Sequence, residues 1–225
     1  MVTVIANPKK ELCDKEVAKV IAKSIHKILQ TKDTVVLGIV GGRSVSGIFQ
    51  ALRTKPVPWG HIHIFVVDEG ITRDNQNSNF QLAKKDFLDE LIKKGILPKE
   101  NIHPFLIEKG IKQYQQELQK YGGVYDIILL SSGEDGHVGA LFPNYSVKDK
   151  GEFFVTMKDA PKPPKERMSA SLHLLKKSKV AIVLFYGEAK REAYDQFNND
   201  EVSIIDCPAK LVLEIKESFA VTDLE

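Results

Sequence analysis

The sequence predicts an α/β fold of three layers, a mostly parallel sheet with helices packed on both faces. Two patterns carry that expectation. Short runs of β-branched and aliphatic residues alternate with stretches whose apolar residues recur every three or four positions. Glycine-bearing or polar loops follow the strand-like runs, where the strand-to-helix turns of such folds lie. With 225 residues, 43% of them hydrophobic and 28% charged, the chain is long enough to bury such a sheet in one domain spanning 1–225.

The elements follow in order. From Glu11 to Gln30, Val17, Val20, Ile21, Ile25, Ile28 and Leu29 form the stripe of an amphipathic helix. Thr34 to Val40 reads as a buried strand, Gly41-Gly42 as the turn after it, and Ser44 to Arg53 as the next helix. The unit repeats with a strand from His61 to Val67, a polar loop from Asp68 to Asn77, and a helix opened by the capping-box pattern Ser78-Asn79-Phe80-Gln81. Phe80, Ala83, Phe87, Leu88 and Leu91 form the apolar face of that helix. A third unit carries Ile111, Tyr114, Leu118 and Tyr121 on a helix and leads into the strand Tyr125 to Leu130.

Further on, Glu166 to Leu175 reads as a helix, preceded by a rigid surface connection at Pro161 to Lys165. Val180 to Tyr186 reads as a strand, and Gly187-Glu188-Ala189-Lys190 as the start of another helix. Lys210 to Val221 has no clear pattern, and Trp59 fits either core or interface. Helical crossovers of this length make the sheet mostly parallel. In such sheets ligands bind at the carboxyl ends of the strands.

Composition narrows the function. A net charge of +2 gives no field for a nucleic-acid backbone. Cys13 and Cys207 are far apart and in no metal or redox spacing. The amino terminus lacks a basic head followed by an apolar run, and no segment reaches membrane-spanning length, so the expected address is the cytoplasm.

Chemistry concentrates in Ser131 to Pro143, where Asp135 and His137 sit two residues apart on a loop leaving a strand. A histidine moves protons near neutrality and a neighbouring carboxylate orients its ring; a surface histidine in a glycine-rich turn has the same local sequence. Gly41-Gly42-Arg43-Ser44 offers free amides at a helix start for a phosphate, or simply a tight turn. Arg167 and Lys190 fall early in predicted helices, where the helix dipole disfavours a cation, which hints at an anionic ligand. Asp68-Glu69 follows a buried strand directly, placing at least one carboxylate in the ligand crevice. His61 and His63 share one face of a strand, yet no third metal ligand is evident nearby.

Taken in order, the Gly41-Gly42 loop, Asp68-Glu69, Asp135-Gly136-His137 ending in Leu141-Phe142-Pro143, Pro163-Pro164 with Glu166-Arg167, and Gly187 to Lys190 resemble the glucosamine-6-phosphate deaminase and 6-phosphogluconolactonase superfamily over nearly the whole chain. The resemblance implies a Rossmann-like three-layer sandwich. It is closer to the lactonases, because the deaminases carry a functional glutamate five residues after the histidine, where this chain has Phe142. It further implies hydrolysis of 6-phosphogluconolactone in the oxidative pentose phosphate pathway, with His137 activating water and Asp135 supporting it.

Arg167, Lys190 and the amides of Gly41 to Ser44 would grip the phosphate, and Asp68 would contact substrate. The resemblance implies no metal and no organic cofactor, a phosphorylated sugar lactone as the partner, and a monomer or small homo-oligomer. Two positions depart from the family pattern. Gly70 stands where an arginine commonly follows Asp-Glu, the nearest being Arg73, and Arg43 stands where a serine follows the two glycines. A deaminase-like isomerase using Asp68 and His137, and a non-catalytic sugar-phosphate sensor, are the alternatives. The spacing required for a dinucleotide is absent.

Overall fold

The computed structural model describes residues 1–72, 78–144 and 151–224. Along the chain run β1 (Thr3–Ala6), α1 (Lys10–Ile28), β2 (Val35–Ile39), α2 (Arg43–Leu52), β3 (Ile62–Val66), β4 (Asp68–Gly70), α3 (Asn79–Ala83), α4 (Asp89–Lys93) and β5 (Ile102–His103). They are followed by α5 (Gly110–Gln119), β6 (Ile127–Ser131), β7 (Phe154–Met157), β8 (Arg167–Ala170), α6 (Leu172–Lys176), β9 (Val180–Phe185), α7 (Arg191–Asn198) and β10 (Glu217–Thr222).

Seven strands pair in the order β1-β10-β9-β6-β2-β3-β5, every neighbour parallel. The valines and isoleucines of β2, β3 and β9 suit a pleated surface buried on both sides, and all residues of these three strands are buried. Helix α1 turns Val17, Ile21, Ile25 and Ile28 into the core and packs on α2. Ser78 caps α3 by accepting from the Gln81 amide at 3.2 Å. A π-helical turn at Lys84–Leu88 joins α3 to α4 and buries Phe87 and Leu88, with Trp59 edge-on to Phe87 in the core. No described helix is long and apolar enough to cross a membrane.

Three segments differ from the sequence expectation. Residues 68–70, expected in a loop, form β4, which pairs antiparallel with β8 and, through it, with β7 in a separate three-stranded sheet; the rest of that expected loop, with Arg73, lies largely at 73–77, outside the described residues. Residues 166–175 are not one helix: Arg167–Ala170 is strand β8, and α6 begins after Ser171, whose hydroxyl accepts from the Leu174 amide at 3.1 Å. Helix formers such as Glu166 and Met168 are overridden because the backbone finds strand partners on both sides. The proline-rich connection therefore enters a strand, and the unpatterned termini become β1 and β10, paired with each other.

The central strands are tied at their starting ends by Asp126, which is fully buried. Its amide donates to the Val36 carbonyl at 2.9 Å, while its Oδ2 accepts from the Val36 amide at 2.9 Å. Its carbonyl accepts from the Val180 amide at 3.0 Å, and Lys32 and Lys179 reach its carboxylate at 2.6 and 3.0 Å. One residue thereby connects the beginnings of β2, β6 and β9. Replacing it with alanine orphans the buried Val36 amide and leaves two partly exposed lysines without their carboxylate, which is expected to cost about 1–3 kcal/mol, read as a lowered urea midpoint; an unchanged midpoint would contradict this role.

His61 and His63, considered as a possible metal pair that lacked a third ligand, take different partners. His61 Nδ1 lies 2.9 Å from the Asp33 carbonyl, whereas His63 Nδ1 lies 3.0 Å from His103 Nε2, with His103 Nδ1 3.3 Å from Glu117. Among the described residues no group of three or more His, Cys, Asp or Glu side chains could hold a metal ion. Burial, then the charge of His63, push His103 down to about 4, and burial lowers His63. Because both lie below 6.5, the unfolded chain takes up protons first: the neutral pair's contribution is complete above 6.5 and is lost as pH falls toward about 4. His103→Phe keeps a ring against Phe65 but cannot titrate, so its stability relative to wild type should improve between about pH 7 and about pH 4.5. Urea titrations of both proteins at each pH test this, and a difference independent of pH would refute it.

Candidate active site

The loop after β6 is shaped by its glycines. The Gly133 amide donates to the His137 carbonyl at 2.7 Å, closing a tight turn, and Gly136 adopts φ +80° with its carbonyl accepting from the Ala209 amide at 2.9 Å. A Cβ on Gly133 would sit 2.0 Å from His137 Nδ1, so the imidazole occupies the space a side chain would need. His137 Nδ1 lies 2.5 Å from Asp135 Oδ1. Burial opposes the charge of Asp135, but the hydrogen bond and charge of His137 outweigh it and bring its carboxyl down to about 2. This carboxylate fixes the Nδ1–H tautomer and leaves Nε2 as the ring nitrogen available to a ligand. Behind the imidazole, the Phe142 ring packs at 4.5 Å between centroids and is itself buried with Ala140, Met157 and Ala160.

The second wall comes from β4, α3 and β8. Of the Asp68-Glu69 pair, Glu69 is structural: its carboxylate accepts from the amides of Gly70, Asn79 and Phe80 and from the Ser78 hydroxyl, all within 3.0 Å. Asp68 turns to the cavity. Its Oδ2 accepts from Asn79 Nδ2 at 3.0 Å and lies 3.6 Å from Arg167 Nη1. Burial pushes Asp68 up to about 6, with Glu69 adding to the rise while Arg167 and Asn79 oppose it. Asn79 also packs on the Gly41 backbone, where a Cβ would approach its Cα to 2.5 Å.

Arg167 stands on strand β8, not near a helix start, so the dipole argument does not apply to it; what holds its guanidinium is the proline turn, through the Pro164 carbonyl at 3.2 Å and the Pro163 carbonyl at 2.6 Å. Ser169, two residues on, accepts from the Ala140 amide at 3.1 Å and so ties β8 to the His137 loop. Gly70 also has a packing reason: a Cβ there would meet Pro164 at 2.6 Å, so the proline turn occupies the space of any side chain at that position.

Lys190 ends a 3-10 turn and caps α7. Burial lowers its ammonium, Lys162 acts in the same direction, and Glu134 and Asp135 oppose them. Together Gly41, Asp68, Asn79, His137, Arg167 and Lys190 line a cavity of about 220 Å³, with Val40, Ser131, Ser132, Gly133 and Gly139 completing its wall. Gly42, at φ +100°, is the N-cap of α2; Arg43, exposed, and Ser44 begin that helix outside this lining. Sequence reasoning missed Asn79 and Ser169. Asn79 was legible as a helix start, but nothing local announces that it faces Asp68. A wider cleft of about 570 Å³ beyond Glu69, walled in part by Phe80, Phe105 and Leu106, has no Lys, Arg or His among the described residues of its lining.

Residues 8–221 match the family described as glucosamine-6-phosphate isomerases/6-phosphogluconolactonase. The chain belongs to this family. Among its relatives, a 6-phosphogluconolactonase of Borreliella burgdorferi is 29% identical over 196 residues, covering 84% of this chain and 83% of the relative. The human GDH/6PGL endoplasmic bifunctional protein is 33% identical over 171 residues, 69% of this chain and 21% of that longer protein. The fold is shared with a 6-phosphogluconolactonase of Thermotoga maritima, at TM-score 0.85 and 22% identity with 99% of each chain covered. It is shared also with a monomeric glucosamine-6-phosphate deaminase, at TM-score 0.78 and 21% identity with 98% and 97% covered. Both branches of the family have this fold, so the side chains must distinguish them.

Gly133→Ala forces the imidazole of His137 aside and is expected to cost about 1–3 kcal/mol. In NMR spectra the His137 ring resonances should move while those of His63 stay in place. An unshifted His137 signal would show that the ring does not depend on the bare Gly133 backbone.

Proposed function

We propose that this chain is a 6-phosphogluconolactonase, hydrolysing 6-phosphogluconolactone to 6-phosphogluconate in the oxidative pentose phosphate pathway, with the cytoplasm as its compartment. The observation that carries the reading is the His137–Asp135 pair set in a cavity that also holds Arg167 and Lys190. His137 Nε2 takes a proton from water as the water oxygen bonds to the lactone carbonyl carbon. The tetrahedral intermediate then breaks its bond to the ring oxygen, and the imidazolium returns the proton to that oxygen, leaving an open-chain hydroxyl and a carboxylic acid that releases its remaining proton to solvent to become the carboxylate. Asp135 holds the imidazole in one tautomer and stabilises its charged form. Lys190 and Arg167, beside the Gly41 backbone, hold the phosphate and thereby fix the reacting ester against the base. The imidazole supplies water activation without a metal.

Phe142 favours the lactonase over the deaminase branch. The position five residues after His137 holds a buried phenyl ring packed on the imidazole, with no carboxylate to assist ring opening.

Acid release from freshly generated 6-phosphogluconolactone, corrected for spontaneous hydrolysis, tests the reading. Wild type should accelerate hydrolysis and His137→Ala should lower kcat by roughly 10²- to 10⁴-fold, with an unchanged circular-dichroism spectrum. Near-normal turnover by the variant would remove His137 from the mechanism. Ammonia release from glucosamine-6-phosphate would transfer the chain to the deaminase branch, and binding of 6-phosphogluconate without any turnover would make it a sensor.

A further inference from the structure

Arg167 cannot follow a ligand out of the wall. Its Nε and Nη2 are committed to the Pro164 and Pro163 carbonyls, and its Nη1 lies 3.6 Å from Asp68 Oδ2. Asp68 is held just as firmly by Asn79, and the residue is only 4% exposed. Both side chains line the same cavity. An anionic group that pairs with Arg167 therefore arrives beside a buried carboxylate, and two negative charges then share one guanidinium with little water to separate them. In such a setting one of the two is neutralised.

The surroundings point to the group that changes. Glu69, on the same strand, has both oxygens filled by four donors, so a proton there would displace one of them. Tyr125, charge-coupled to Asp68, is fully buried and its phenol is pushed up by burial and by Asp68, so it stays neutral. His137 has its Nδ1 tied to Asp135, and Lys190 is a cation on the same cavity wall. Asp68 remains as the group with both a like charge approaching and its carboxyl at the cavity.

We propose that Asp68 takes up one proton from solvent when the anionic end of the ligand pairs with Arg167, so that the guanidinium exchanges a protein carboxylate for the ligand. This rests on the reading of the cavity as a sugar-phosphate site. Protonated Asp68 keeps an oxygen that accepts from Asn79 and gains a hydroxyl that can donate to the ligand. The carboxyl is already displaced to about 6 in the free protein, so a further rise caused by the anion carries it across neutrality. Proton uptake makes ligand affinity rise as pH falls through the neutral range, and raising the pH favours release of the charged product.

Titration calorimetry of 6-phosphogluconate at about pH 7, in buffers of different ionisation enthalpy, reads the proton count directly as the slope of observed heat against buffer heat. The expected slope is about one proton per bound ligand for wild type, close to zero for Asp68→Asn, and unchanged from wild type for His137→Asn. Binding with a zero slope in wild type, or a full slope in Asp68→Asn, would overturn the proposal, the second by placing the proton on the imidazole or the ligand phosphate. Absence of binding to wild type would overturn the sugar-phosphate reading, and this proposal with it. Should Asp68→Asn fail to fold, wild type labelled with carbon-13 aspartate gives the answer by infrared difference spectroscopy. A new protonated-carboxyl band on adding 6-phosphogluconate is expected, and its absence would refute the uptake.

Discussion

A single buried carboxylate sets the alignment on which the structure depends. Asp126 touches the beginnings of β2, β6 and β9 through its amide, carbonyl and side chain, and two lysines bring the charge that lets it stay inside. Parallel strands have no hairpin turn to fix their relative position, so a shared tie at one end must do it. Fixing the starting ends also fixes the carboxyl ends, where β2 leads to Gly41, β6 to Ser131 and β9 to Gly187. A shift of one residue in any of these pairings would turn every side chain of that strand to the opposite face of the sheet and move the loop at its carboxyl end away from its neighbours.

The side chains that line the cavity are then placed by neighbours behind them. The bare Gly133 backbone makes room for the imidazole, and Phe142 supports it from behind. Glu69 binds the start of α3 to β4 and so sets Asn79 against Asp68. The proline turn holds Arg167, and Ser169 bolts the small antiparallel sheet to the His137 loop. That small sheet joins two walls of the cavity that the large sheet alone would leave independent.

The two carboxylates of the site are driven in opposite directions. Asp135, paired with an imidazole, is brought down to about 2, whereas Asp68, enclosed and near Glu69, is pushed up to about 6 despite Arg167. Environments that separate two acids in this way let one remain a permanent anion while the other exchanges protons near neutrality. The same chemistry in solution would give two equivalent carboxylates.

The sequence by itself determined the parallel sheet, the helices that cover it and the family, and it named His137, Asp135, Asp68, Arg167 and Lys190 as site candidates. Those features are local: hydrophobic period, glycine placement and residue order are all properties of neighbouring residues along the chain. Tertiary structure decided the rest. Whether residues 167–170 form strand or helix depended on β4 and β7 being available as hydrogen-bond partners. The same pairing put Arg167 opposite Gly70 in register and brought it within reach of Asp68, while the fold around them turned Glu69 into a brace and gave Asn79 a role. Which of two adjacent buried acids faces the cavity, and beside what charge, follows from segments about a hundred residues apart meeting in space, and no local pattern records that meeting.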